Sequence, residues 1–250
     1  METFMANQVD PRLAFPQVRR DTTAASFDAG LRSYMLSVYN YMASGVLLTG
    51  LIALLFAQSG AVQSLFNEVG RPSLLGWIVM LAPLGIVITM SAAINRLSEF
   101  SVKALFWGFA AIMGVSMSTI FLRYTGGSIA ATFFATAAGF GALSLYGYTT
   151  KRDLGAMGKF LMMGLVGLIV ASLINAFFPS AAGSLLISIV GVLLFSALTV
   201  YDTQKIKNMY DVVAGSDMLG KSVVMGALTL YLDFINLFLF LLRFTGGSRN

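Results

Sequence analysis

The stretch Val223-Val224-Met225-Gly226-Ala227-Leu228-Thr229-Leu230-Tyr231-Leu232-Asp233-Phe234-Ile235-Asn236-Leu237-Phe238-Leu239-Phe240-Leu241-Leu242 decides the fold. At about 1.5 Å per residue it is long enough to cross the roughly 30 Å of hydrocarbon in a bilayer. Its one charged side chain is Asp233. An ionised carboxylate at the centre of a spanning helix costs about 2.5 to 3.5 kcal/mol on insertion scales, so an acid there marks a functional site unless it serves only as a neutral interhelical hydrogen-bonding group. At 3.6 residues per turn Gly226, Thr229, Asp233 and Asn236 fall on one face. A polar stripe on a helix that is otherwise apolar all round places that helix in the interior of a bundle.

Working outward from this helix, six further runs of spanning length precede it: Met35 to Phe56, Leu74 to Ile94, Val102 to Leu122, Ser128 to Tyr148, Phe160 to Phe178 and Gly183 to Tyr201. The composition agrees with a polytopic all-α membrane protein: 57% apolar residues, 11% charged and 25 glycines in 250 residues, with a mean hydropathy of +0.81. Cysteine and histidine are absent. That removes disulfides, thiolate nucleophiles and imidazole metal ligands together, and no cofactor is expected. The net charge of +5 suits loops facing anionic lipid rather than nucleic acid.

Residues 1–33 mix Arg12, Arg19, Arg20 and Arg32 with Asp10, Asp21 and Asp28, and have no apolar core. They read as a cytoplasmic tail with one amphipathic turn around Phe27 to Arg32. Residues 34–244 form the bundle and 245–250 a short C-terminal tail. With the N-terminus inside, twelve of the sixteen basic residues fall on the inner side and only Arg71, Arg123, Arg243 and Arg249 on the outer side. Seven crossings then leave Asn250 outside, and the polar connection Thr203 to Ser222 in the cytoplasm. A bacterial cytoplasmic membrane is the expected location, with an organelle membrane of a eukaryote as the alternative and the lipid bilayer as the partner in either case.

Small residues supply close helix packing, which replaces the hydrophobic force inside lipid. Ala110, Gly114 and Ser118 form such a face on the third span, and Gly155, Gly158, Gly164 and Gly167 thin the fifth helix and its entry. Pro83 removes a backbone donor from the middle of the second span and is expected to bend it.

On the sixth span Ser196, Thr199 and Asp202 recur every third residue and make a second polar edge. Thr199, Thr229 and Asn236 are candidates for a cation pathway beside the two acids. Straight helices ending near Tyr201 set Asp202 and Asp233 about 10 to 15 Å apart in depth. Pairing requires tilt, or a sixth helix that continues past Asp202 towards Met209.

Tyr201-Asp202-Thr203-Gln204, together with Ala227 to Phe238, closely resembles the Bax inhibitor-1 family, whose members carry the transmembrane Bax-inhibitor motif. Tyr146-Gly147-Tyr148-Thr149-Thr150-Lys151-Arg152-Asp153-Leu154 and Arg96 resemble its bacterial branch, so the likeness runs from about Leu31 to the C-terminus. It implies six helices around a central seventh and a pH-sensitive calcium leak channel. It further implies a hydrogen-bonded aspartate dyad at Asp202 and Asp233, a weak calcium site at the same two carboxylates, and a gate-associated basic residue at Arg96. From sequence position alone, Arg96 is equally a surface ion-pair partner of Glu99 or a positive-inside anchor. Two carboxylates a few ångströms apart cannot both ionise cheaply, so a dyad shares a proton and titrates as a pair. Calcium takes six to eight oxygens, of which these residues supply a part.

An intramembrane aspartyl protease also uses two acids, but its Gly-x-Gly-Asp is replaced here by Leu230-Tyr231-Leu232-Asp233, so no enzymatic activity is expected. A retinal Schiff base is excluded because the last span has no lysine. The alternatives to a leak channel are a proton-coupled transporter using the same acids, and a regulator or scaffold that binds membrane proteases or other membrane proteins.

Overall fold

The computed structural model describes residues 15–247, with side chains from residue 27 onward. Within them the chain forms α1 (Phe15–Gln58), a 3-10 turn (Ala61–Leu65), α2 (Leu74–Ala93), α3 (Glu99–Met117), the short α4 (Ile120–Arg123), α5 (Gly126–Thr149), α6 (Gly155–Phe177), α7 (Ala181–Val213) and α8 (Leu219–Thr245). Seven segments are long and apolar enough to cross a membrane, with α3 and α4 sharing one of them. All seven runs read from the sequence are found.

Helix starts follow side-chain chemistry. Ser73, Ser98, Thr125 and Ser180 each accept a hydrogen bond from the backbone N–H three residues on, satisfying a donor that the first turn leaves free. The break between α3 and α4 coincides with Ser118 and Thr119, whose hydroxyls donate to the carbonyls of Val115 and Ser116.

Two helices run further than hydropathy indicates. α1 is continuous from Phe15 through residue 33, so no backbone break separates the segment read as a tail from the bundle; residues 1–14 lie outside the described residues. α7 continues eleven residues past Asp202, to Val213. Most of the connection expected as a cytoplasmic insertion is therefore helix, closed by a turn in which Gly215 takes φ 73°. Ile206, Tyr210 and Val213 repeat at helical spacing and are buried against the bundle, and the outward Lys205 and Asp211 hide this stripe from a hydropathy average.

The last helix is the axis of the molecule. Of its most apolar stretch 67% is buried within the protein, against 11 to 33% for the other six. The outer helices turn large apolar side chains outward, such as Leu47, Met163 and Phe177, which forms the lipid-facing surface of a membrane protein. Side-chain bonds gather the basic residues at one end. Lys207 donates to the Tyr148 carbonyl at 2.8 Å, Lys221 to that of Ile94 at 3.3 Å, and Gln204 clamps the α5–α6 connection through Leu154 N–H and the Arg152 carbonyl.

The small-residue face on α3 is a helix crossing. A Cβ on Gly114 would stand 2.8 Å from the Thr49 carbonyl oxygen and 2.8 Å from Ile52 Cβ, both on α1. Of the α6 glycines, Gly158 and Gly164 meet Tyr201 and Leu194 of α7, whereas Gly167 faces open space. Gly114→Ala is expected to destabilise the bundle by about 1 to 3 kcal/mol, because a backbone carbonyl cannot swing aside. Gly108→Ala, whose Cβ meets nothing within 4 Å, is its control. Equal unfolding midpoints for the two variants in detergent would remove this crossing from the determinants of the fold.

Candidate functional site

The longer α7 changes the depth relation between the acids. Asp202 lies eleven residues from the end of α7, and Asp233 fourteen residues from the start of α8. At 1.5 Å per residue the two differ by only about 5 Å in depth from the shared turn. Both are buried, with exposures of 8% and 5%. α7 and α8 pack along their length, which brings the Asp202 segment of α7 against the central helix.

Asp202 lines a cavity of about 190 Å³ between α1, α7 and α8, near the basic end. Tyr34 forms its wall on α1, Lys205, Ile206 and Met209 on α7, and Ser222, Gly226 and Thr229 on α8. The Tyr34 hydroxyl and Ser222 Oγ are hydrogen-bonded at 2.9 Å, tying α1 to the first turns of α8 beside this space. Asp233 is one helical turn beyond Thr229 and is not among the residues lining the cavity. Its Oδ2 is buried with no hydrogen-bond partner among the described residues. An unpaired buried polar atom costs about 1 to 3 kcal/mol, and more when charged, so it persists where a site needs it.

Of the pathway candidates, Thr229 lines the cavity. Thr199 is fully buried with its hydroxyl donating to the Phe195 carbonyl at 2.7 Å, and Asn236 donates its amide to the Leu232 carbonyl at 2.8 Å; neither lines the cavity. Arg96 is exposed in the turn after α2, with no ion pair to either acid among the described residues. The surface partner considered for it, Glu99, pairs instead with Lys103 one turn along α3. Among the described residues no group of three or more acidic side chains gathers at one point.

Three polar residues of this site were not singled out as site residues in the sequence: Tyr34, Lys205 and Ser222. Lys205 falls one turn after Asp202, within the continuation towards Met209 that pairing of the acids called for, but it was counted only among the inner-side charges. Tyr34 and Ser222 carry no local signal, since they meet only through the packing of α1 on α8.

Beyond Asp233, towards the opposite end, the interior turns apolar. Phe234 meets Phe133 at 5.6 Å and Phe140 at 5.5 Å between ring centroids, edge to face. A void of only about 70 Å³ follows, walled largely by Val46, Ile129, Phe234, Ile235 and Phe238.

A seven-helix membrane bundle with two buried acids, one on its central helix and one on the neighbour, defines the class. The family model described as Inhibitor of apoptosis-promoting Bax1 matches residues 31–250, and the chain belongs to this Bax inhibitor-1 family. It is 48% identical to a protein of Rickettsia prowazekii over 226 residues, covering 90% of this chain and 94% of that one. It is also 48% identical to the inner membrane protein YbhL of Escherichia coli K12 over 223 residues, covering 88% and 94%. A Caulobacter vibrioides protein is 44% identical over 236 residues, covering 92% and 94%.

Proposed function

We propose that the protein is a pH-responsive calcium leak pathway in a bacterial cytoplasmic membrane, gated by a proton shared between Asp202 and Asp233. The observation that carries this reading is the buried, unpartnered Oδ2 of Asp233, on the helix packed against the one whose Asp202 lines a cavity. Proton sharing between the two acids holds α7 against α8 and leaves the aromatic layer beyond Asp233 closed. The sign follows directly. Acid medium keeps the shared proton and the closed arrangement, whereas alkaline medium removes it, and two like charges in a dry interior push the helices apart. The freed oxygens of Asp202 and Asp233, with Thr229 nearby, supply only part of the six to eight that calcium takes. Water completes the shell, and the weak binding that results suits passage rather than storage.

The location rests on the name of the Escherichia coli relative and on the basic end of the bundle, which the positive-inside rule sets in the cytoplasm together with the N-terminus. Lys205 stands at the mouth of the cavity as a fixed positive charge that an entering cation must pass. Arg96 takes part only if the turn after α2 moves.

Purified protein in liposomes is expected to pass more calcium at pH 8 than at pH 6, because loss of the shared proton leaves two like charges facing each other. Asp202→Asn and Asp233→Asn should each flatten that response, since an amide keeps the shape and loses the titration. Variants that conduct with the wild-type pH profile would sink the reading. Saturable flux that requires a proton gradient would assign the same acids to a transporter instead.

A further inference from the structure

Away from the acids, a groove of about 670 Å³ opens between α1 and α5. That volume is in the range of a site for a sizeable organic ligand, about 300 to 1,000 Å³. Met35, Leu36, Met42 and Phe140 make its walls apolar, and both helices are membrane-spanning segments. An occupant must therefore arrive from the bilayer. The one charged residue in the lining is Arg32, which is exposed and has no acidic partner among the described residues, although Asp28 lies one turn earlier on α1. A second positive charge stands at the same rim, because Lys207 donates to the carbonyl of Tyr148, another lining residue, and lies 5.1 Å from the centre of its ring.

Polar atoms continue down the groove in an order that matches one kind of molecule. Tyr39 and Ser144 both line it, and the Tyr39 hydroxyl lies beside the hydroxyls of Ser144 and Thr203. Tyr39 is seven residues from Arg32, about 10 Å along the helix. The interfacial layer on each side of a bilayer is about 5 to 8 Å thick, so the hydroxyls fall just below it. Cation, then hydroxyl donors, then a hydrocarbon wall is the complement of phosphate, ester carbonyl and acyl chain.

We infer that the groove between α1 and α5 is a binding site for one anionic phospholipid, with its phosphate at Arg32, its ester oxygens at Tyr39 and Ser144, and an acyl chain against Met42 and Phe140. A basic pocket between spanning helices at the cytoplasmic surface is a recurrent form of anionic lipid site. The site is independent of how the acids work and stands or falls separately from the proposed leak.

Gly141 provides the test. It lines the groove, and a Cβ built on it meets nothing within 4 Å, so the side chain of Gly141→Phe starts into open space and its ring occupies the groove. Protein released from mixed phosphatidylglycerol and phosphatidylcholine micelles is weighed intact by native mass spectrometry. The wild type is expected to retain one phosphatidylglycerol per chain in preference to phosphatidylcholine. Arg32→Gln should reduce that preference about fivefold, the loss that one basic residue at a membrane surface accounts for. Gly141→Phe should reduce retention of both lipids by at least about as much, with an unfolding midpoint equal to the wild type. Equal retention of the two lipids by the wild type, or full phosphatidylglycerol retention in Gly141→Phe, overturns the inference. A dimer that Gly141→Phe dissolves would also overturn it, by assigning the groove to a second copy of the chain.

Discussion

Tyr231→Ala is expected to be the most destabilising single substitution in the central helix. The ring is fully buried, meets Phe109 at 5.0 Å and Phe106 at 6.4 Å edge to face, and joins its own helix α8 to two others, α1 and α3. Its hydroxyl is 2.6 Å from Thr49 Oγ1, which in turn donates its only proton to the Ala110 carbonyl at 2.8 Å. Tyr231 is therefore the donor of the pair, and the chain of bonds runs from α8 through α1 to α3. A buried aromatic cut to alanine costs about 3 to 5 kcal/mol in water-soluble cores. Within a micelle the transfer of the ring from water drops out and lost packing remains, so roughly 2 to 4 kcal/mol is expected. Tyr231→Phe removes only the hydrogen bond and should cost about 1 kcal/mol. Equilibrium unfolding in mixed detergents reads both. Equal losses for the two variants would show that the hydroxyl chain, and not the ring, holds α1 and α3 on the axis.

The number of spanning helices was legible because hydrocarbon thickness imposes a length that apolar runs reveal directly. The position of α8 as the axis was legible for a second reason, since its polar stripe of Gly226, Thr229, Asp233 and Asn236 needs protein on that side rather than lipid. The two extensions were not legible in hydropathy, and only the pairing of the acids called for a longer α7. In α1 the chain before Met35 alternates charge with small residues, and in α7 the buried Ile206, Tyr210 and Val213 are interleaved with Lys205, Lys207 and Asp211. An average over all sides of a helix cancels a stripe of this kind, and a moment taken over one face would have found it. Asp202 stood out both on the polar edge of the sixth span and in the family motif, and its neighbour in that motif, Gln204, proves to be a clamp on the α5–α6 connection. Equal prominence in a sequence motif thus covers two different tasks, one polar wall and one staple. Asn236 and Thr199 show the reverse limit. Both lie on the predicted polar faces, yet each bonds to a backbone carbonyl of its own helix, a local alternative always open to short polar side chains.

Phe234→Ser is expected to raise calcium leak at pH 6 about tenfold over the wild type, by wetting a constriction that is otherwise dry. The cavity beside Asp202 reaches inward only as far as Thr229, and the void beyond Asp233 is too apolar to hold water stably. Phe234, the next residue after Asp233 on α8, walls that void, with its ring wedged between Phe133 and Phe140. On the proposed reading the acids set when the pore opens, while the aromatic layer sets how tightly it closes. The two contributions are separable by substitution. Phe234→Leu preserves an apolar barrier of similar bulk and should leak no more than the wild type. Phe234→Ser should leak at low pH even when Asp233 is changed to asparagine, because it removes the barrier and not the trigger. If Phe234→Ser remains as tight as the wild type at pH 6, the barrier lies elsewhere along the axis. If it leaks only while Asp233 can titrate, the phenyl ring acts through the acid pair and not as a separate gate.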